Sequence, residues 1–154
     1  MSSVVVDASI AVKWVLDEPD SARARALLGA WASQGVVLLA PALLAYELAN
    51  ILRQQNRRNV LTLDEAREGL RRVLLGGIHF DSAMPLALST RALELADRFG
   101  LSAVYDAHYL ALAEREGCEY WTADERLWNS VRAQLGWVRW LGEYAAAGSP
   151  TAVL

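Results

Sequence analysis

Apolar and polar positions along the chain switch period repeatedly, from short β-branched runs that read as strands to the three-and-four spacing of helices. Residues 3–6 predict a strand that ends at Asp7, and residues 8–16 an apolar helix. Asp17-Glu-Pro-Asp20 breaks the chain. A second helix follows over 21–33, with Ala22, Ala26, Leu27, Ala30 and Trp31 on one side, and Gly35 ends it before a strand over 36–40. Pro41 opens a helix over 42–57, and a further helix covers 63–75. Residues 78–81 read as the third strand, 85–99 as an amphipathic helix stopped by Gly100, and 103–116 as another helix. The fourth strand is placed at 118–122, a helix at 125–135 and the fifth strand at 137–141. This alternation predicts an α/β fold, with a mostly parallel five-stranded sheet and helices on both faces. One domain is expected over residues 1–144, followed by a frayed Ala/Gly/Ser/Pro tail over 145–154.

Ligands of such sheets gather beyond the carboxyl ends of the strands, where strand order reverses. Asp7 follows the first strand and Asp124 the fourth, while Glu47 interrupts an apolar stripe of Leu43, Leu44, Leu48 and Ile51 soon after the second. Asp106 shares a stripe with Ala103, Leu110 and Ala113, and it precedes the fourth strand. Each acid taken singly has an ordinary explanation. Asp7 or Ser9 suits a helix N-cap, Thr122 to Glu125 fits a capping box with Asp124 as a helix N-terminal charge, and Asp106 suits a satisfied core carboxylate. Four acids from four segments are harder to explain singly. Clustered carboxylates repel one another and protonate unless cations compensate, and an oxygen-only donor set favours Mg²⁺ or Mn²⁺. Substrate phosphates commonly complete such sites, so the chemistry indicated is phosphodiester hydrolysis.

Composition narrows the class without changing it. The chain has 154 residues, of which 54% are hydrophobic, and its mean hydropathy is +0.16, which suits one compact domain and argues against disorder. Charges interrupt every apolar run short of a membrane span, and no basic-then-apolar leader is visible, so a cytoplasmic protein is expected. The net charge of −3 is no general nucleic-acid footprint. Among fifteen basic residues, however, only Lys13 is a lysine, and arginine's planar fork suits phosphate. Arg53, Arg57 and Arg58 end one helix while Arg67, Arg71 and Arg72 lie on the next, so the two helices could pool them, although a solvated face is the ordinary reading. Cys118 reads as a small buried hydrophobe, and His79 and His108 as structural.

Four motifs carry a resemblance. VVVDAS at 4–9, PALLAYELANIL around Glu47, YDAHYLALAE from Tyr105 and WTADERL at 121–127 resemble PIN-domain nucleases, most nearly the VapC-type toxins of prokaryotic toxin–antitoxin pairs. The likeness runs from about residue 4 to 141 and implies a PIN-like three-layer fold. Matched motif to motif, it implies that Asp7, Glu47, Asp106 and Asp124 are the catalytic, metal-binding acids and that Ser9 and Thr122 support them by hydrogen bonds. It further implies a Mg²⁺- or Mn²⁺-dependent endoribonuclease acting on RNA, commonly a homodimer. A small VapB-like antitoxin, here a separate chain, would lie in a groove between the early helices. Arg53, Arg57 and Arg58 are candidate RNA or antitoxin contacts, and Trp14, Trp31 and Trp140 candidates for a dimer or antitoxin surface. A non-catalytic PIN-like RNA- or protein-binding module and a housekeeping RNA-processing nuclease are the alternatives. A haloacid-dehalogenase-like phosphatase wants an acid where Ser9 stands, and a phosphoacceptor receiver domain wants a late lysine that this chain lacks.

Overall fold

A computed structural model describes residues 1–146; most of the expected tail lies outside the described residues. Its strands are β1 (Ser3–Val6), β2 (Val37–Pro41), β3 (Ile78–Asp81), β4 (Glu119–Thr122) and β5 (Val138–Trp140). They form one sheet in the order β3-β2-β1-β4-β5, and every pairing is parallel. Val4, Val5 and Val6 are all buried, so the central strand β1 is covered on both faces, which is why it reads as an unbroken β-branched run. Strand order reverses beside β1: the chain first builds outward through β2 and β3, then returns to β1's other side with β4. Val6 pairs with Trp121, and this register carries Asp7 to the level of Thr122.

The helices are α1 (Ala8–Ala11), α2 (Ser21–Ser33), α3 (Leu43–Arg57), α4 (Leu63–Leu74), α5 (Pro85–Phe99), α6 (Tyr105–Glu116) and α7 (Glu125–Val131). α6 packs on β1, β2 and β4, with α5 against it, and α3 packs on α4. Ala107, Tyr109, Leu110, Ala111, Leu112 and Ala113 of α6 are all buried, so this helix is enclosed nearly all round. A glycine with φ of +62°, Gly117, ends α6 and turns the chain into β4.

Several expected boundaries shift for local reasons. The helix expected over 8–16 is only one turn of α1 and then a tighter turn at Val12–Trp14, where β-branched Val12 and Val15 weaken a continuous helix. In α2 the buried positions are Ser21, Ala24, Leu27 and Trp31, while Ala22 and Ala26 are exposed. Ser21 is buried because its hydroxyl donates to the Leu16 carbonyl at 2.7 Å and accepts from the Glu18 amide at 2.9 Å. α6 begins at Tyr105, which leaves Ala103 exposed and outside the helix; Leu110 and Ala113 are buried as expected. No capping box forms at Thr122 and Glu125, because Asp124 itself caps α7; the capping box of this fold joins Thr62 and Glu65 at the start of α4.

The tryptophans also move inward. Trp31 is buried edge-on against Trp121, with ring centroids 5.9 Å apart, and Trp140 stacks on Trp128 at 5.3 Å. Trp31 therefore belongs to the core, while Trp140 and Trp14 are half-buried. Cys118 is likewise half-buried just ahead of β4, not a strand residue. Among the described residues no helix is long and apolar enough to cross a membrane.

Candidate active site

The carboxyl edge of β1 and β4 is built around Asp7, which is 5% exposed. Its Oδ1 accepts from the Ser9 hydroxyl at 2.5 Å and the Ile10 amide at 3.2 Å, which makes Asp7 the N-cap of α1. Its Oδ2 accepts from the Tyr120 hydroxyl at 2.7 Å and the Thr122 hydroxyl at 2.6 Å. Four donors match the roughly four lone-pair sites of a carboxylate. Ser9 and Thr122 are relays as well as donors: Ser9 Oγ accepts from the Ala123 amide at 2.9 Å, and Thr122 Oγ1 from the Asp124 amide at 3.0 Å. Each hydroxyl has one proton and gives it to Asp7, so the 3.3 Å approach between them is a contact without a proton to share.

Glu47 comes from the second turn of α3 and is half-buried. Its Oε1 accepts from the Tyr109 hydroxyl of α6 at 2.7 Å. The rings of Tyr109 and Tyr120 stack with centroids 5.8 Å apart and planes 11° from parallel, so one aromatic pair braces two acids from different elements. Sequence reasoning passed over both tyrosines. Their signal was present: Tyr120 alternates with Thr122 on one face of β4, and Tyr109 lies one turn after Asp106. Asp124 Oδ1 accepts from the Arg126 and Leu127 amides at 2.9 and 3.1 Å, so the helix-cap explanation holds while its second oxygen stays free. Asp106, half-buried in the first turn of α6, accepts no hydrogen bond among the described residues.

Burial pushes Asp7 above the usual carboxylate range despite its four donors. Glu47 is also raised, by burial and then by the negative charge of Asp7, with Tyr109 and His108 opposing. Asp106 is pushed up to about 6, first by burial and then by the charges of Asp7, Glu47 and Asp124. The structure therefore brings Asp7, Glu47 and Asp124 into electrostatic range of Asp106. No lysine or arginine side chain bonds to any of them among the described residues. Their free oxygens, both of Asp106 and one each of Glu47 and Asp124, form a hard, uncompensated donor set that suits a divalent cation. Among the described residues no three such groups stand at metal-binding spacing, so the set is open as it stands.

The arginines of α3 and α4 are mostly on solvated faces, the ordinary reading of such charges. Arg53, Arg57 and Arg58 lie on the exposed distal end of α3, and Arg57 is about 15 Å along the helix axis from Glu47. Arg53 bonds Asn56 at 2.6 Å, while Arg67 and Arg71 pair with Asp64 and Glu68 on their own helix. A pooled, unpaired basic edge is thus only partly realised.

A parallel α/β sheet that carries buried and half-buried carboxylates to its carboxyl edge has the ground plan of an acidic-site nuclease domain. The family model for the PIN domain matches residues 4–132, and the chain belongs to that family, on the VapC side of it. Ribonuclease VapC3 of Pyrobaculum aerophilum is 36% identical over 130 residues, covering 80% of this chain and 91% of that protein. Two crystal structures share the fold at lower identity. VapC20 of Mycobacterium tuberculosis, described as a sarcin-ricin loop cleaving toxin, is 18% identical with a TM-score of 0.63, covering 83% of this chain and 95% of that one. VapBC2 of Rickettsia felis, bound to a fragment of its promoter DNA, is 14% identical with a TM-score of 0.60, covering 84% and 93%.

Tyr120→Phe removes one hydrogen bond to a buried carboxylate and is expected to lower stability by about 1.5–3 kcal/mol in urea unfolding. A loss below the measurement error would show that Asp7 does not depend on this donor. Asp106 yields a second expectation. With a folded pKa of about 6 against an ordinary 3.8, the folded chain keeps a proton that the unfolded chain has released between those values. Cation-free protein therefore loses stability as pH rises through that window and does not recover it above. In EDTA, Asp106→Asn is expected to melt above wild type at pH 7 and to show a flatter Tm profile between pH 4 and 6; superimposable profiles would contradict it.

Proposed function

We propose that this protein is an endoribonuclease that hydrolyses RNA phosphodiester bonds with Mg²⁺ or Mn²⁺, and that it is the toxin of a VapBC-type pair. The observation that carries the reading is the set of free carboxylate oxygens on Glu47, Asp106 and Asp124, arranged around an Asp7 that is saturated with donors. A ribonuclease 36% identical along most of both chains supports RNA as the substrate.

Glu47, Asp106 and Asp124 would hold the cation through their free oxygens. Asp7 has no lone pair to spare in this arrangement, so it would reach the cation by exchanging a donor or through water. The bound cation would supply charge stabilisation at the phosphate and a lowered pKa for an attacking water. Ser9 and Thr122 fix Asp7 and, through the Ala123 and Asp124 amides, the start of α7. Tyr109 orients Glu47. A cation held there would offset the like charges that add to burial in raising Asp106 and would favour its ionised form.

The partners follow from the same reading. VapBC2 is a complex of a toxin-type and an antitoxin-type chain, which supports a separate VapB-like antitoxin here. Leu86 and Leu93 stand 82% and 63% exposed one heptad apart on the same side of α5, with Thr90 exposed between them and Met84 70% exposed beside the helix start, and these exposed apolar residues support a homodimer.

Purified protein is expected to cleave structured RNA with Mg²⁺ or Mn²⁺, and to lose cleavage in EDTA and in Asp106→Asn. Cleavage that survives EDTA would overturn the metal-dependent reading, and wild-type cleavage by Asp106→Asn would remove that acid from the catalytic set. In light-scattering chromatography the wild type is expected to run as a dimer, and the Leu86→Glu, Leu93→Glu double variant as a monomer with an unchanged circular dichroism spectrum. A dimeric double variant would place the interface elsewhere.

A further inference from the structure

A cleft of about 420 Å³ opens beside the acids, between the segment Gly100 to Ala103 and α7. Asp106 and Asp124 line it, while Asp7 and Glu47 do not. Arg126 and Ser130 line it as well, and among the described residues Arg126 is the one basic residue that does so. Its volume falls within the roughly 300–1,000 Å³ of small-ligand sites, enough for a nucleotide-sized group.

One divalent cation would offset only part of the charge of four carboxylates, so a fixed positive group close to the cut would favour the approach of a polyanion. Most arginines of the chain are engaged with carboxylates, carbonyls, amides or aromatic rings. Among the described residues, Arg57, Arg58, Arg72 and Arg126 are left with no side-chain partner. Arg57 and Arg58 stand at the far end of α3. Arg72 lines a different cleft, together with Asp64, Glu65 and Glu68, whose charges offset its own. Arg126 alone combines a free guanidinium with a wall shared by Asp106 and Asp124. Its backbone is also pinned: the amide donates to Asp124 Oδ1 at 2.9 Å and the carbonyl accepts from Ser130 Oγ at 2.9 Å. The side chain therefore starts from a point fixed to one of the acids themselves, and its planar fork matches phosphate oxygens.

We propose that this cleft is an RNA subsite next to the cleavage point, in which Arg126 holds a phosphate adjacent to the one that is cut. The inference rests on the ribonuclease reading and adds to it a binding residue outside the acidic set. A phosphate contact positions the strand without reading its bases, so Arg126 acts on all RNA sequences alike.

Two measurements test it, both with a labelled mixed-sequence RNA hairpin. Binding is measured by anisotropy in the uncleaving Asp106→Asn background over a salt series, and cleavage in the otherwise wild-type protein. Adding Arg126→Ala is expected to weaken binding about tenfold and to reduce the slope of log K against log salt by about 0.7, the contribution of one single-strand phosphate contact. Arg126→Lys is expected to restore the slope and part of the affinity. In cleavage, Arg126→Ala is expected to raise KM about tenfold with kcat within about twofold. An unchanged salt slope and KM, or a loss confined to kcat, would overturn the subsite while cleavage by wild-type protein upholds the nuclease. Failure of the wild type either to bind or to cut the hairpin would overturn the ribonuclease reading, and the subsite with it.

Discussion

The buried carboxylate of Asp7 is the constraint on which the site depends. It sits at the end of the central strand, almost without solvent, and it is tolerable there because four donors from two adjacent strand ends converge on it. Those donors do more than solvate a charge. Two are hydroxyls that also receive the Ala123 and Asp124 amides, so the position of Asp7 dictates how the chain leaves β4 and where Asp124 begins α7. One network thus couples the sheet's topology, at the point where its strand order reverses, to the placement of a second acid.

Around this anchor the structure keeps its charges in tension. Asp106 has neither a hydrogen-bond donor nor a counter-cation among the described residues, and its raised pKa reflects burial together with three like charges. A site selected only for stability would place an arginine there, and the chain has arginines in abundance. They are instead spent on surface pairs such as Arg91 with Glu114 and Arg115 with Asp81. Such an imbalance is what the proposed cation site requires: a set of free oxygens able to take a divalent cation is a set left destabilised without one. The stacked tyrosines fit the same logic, because they orient two acids through neutral donors and so do not cancel the negative charge.

Much of this was legible in the chain. The unbroken VVVD run marked a strand covered on both faces with an acid at its end, and the intruding Glu47 marked a carboxylate where an apolar residue would serve packing better. Helix and strand order followed from hydrophobic period, and the parallel sheet from their alternation. Less legible were features carried by residues with weak local signals. Alanines in α2 did not disclose the buried side, since an exposed alanine costs little; Ser21 took that side through two backbone contacts. Trp31 reads equally as a surface or a core residue in the chain, and it is buried edge-on against Trp121 because β4 brings that ring to it.

The sequence by itself determined the fold class and marked the four acids as candidates, because periodicity and strand-end position are local properties of the chain. Only the tertiary structure decided how those acids are held. That Tyr109 reaches Glu47 across sixty-two positions, that Tyr120 and Thr122 share one oxygen of Asp7, and that Arg126 lines the cleft with Asp106 are consequences of register and packing between distant segments. Hydrogen-bond geometry between such segments is set by their arrangement in space, and no pattern within any one of them encodes it.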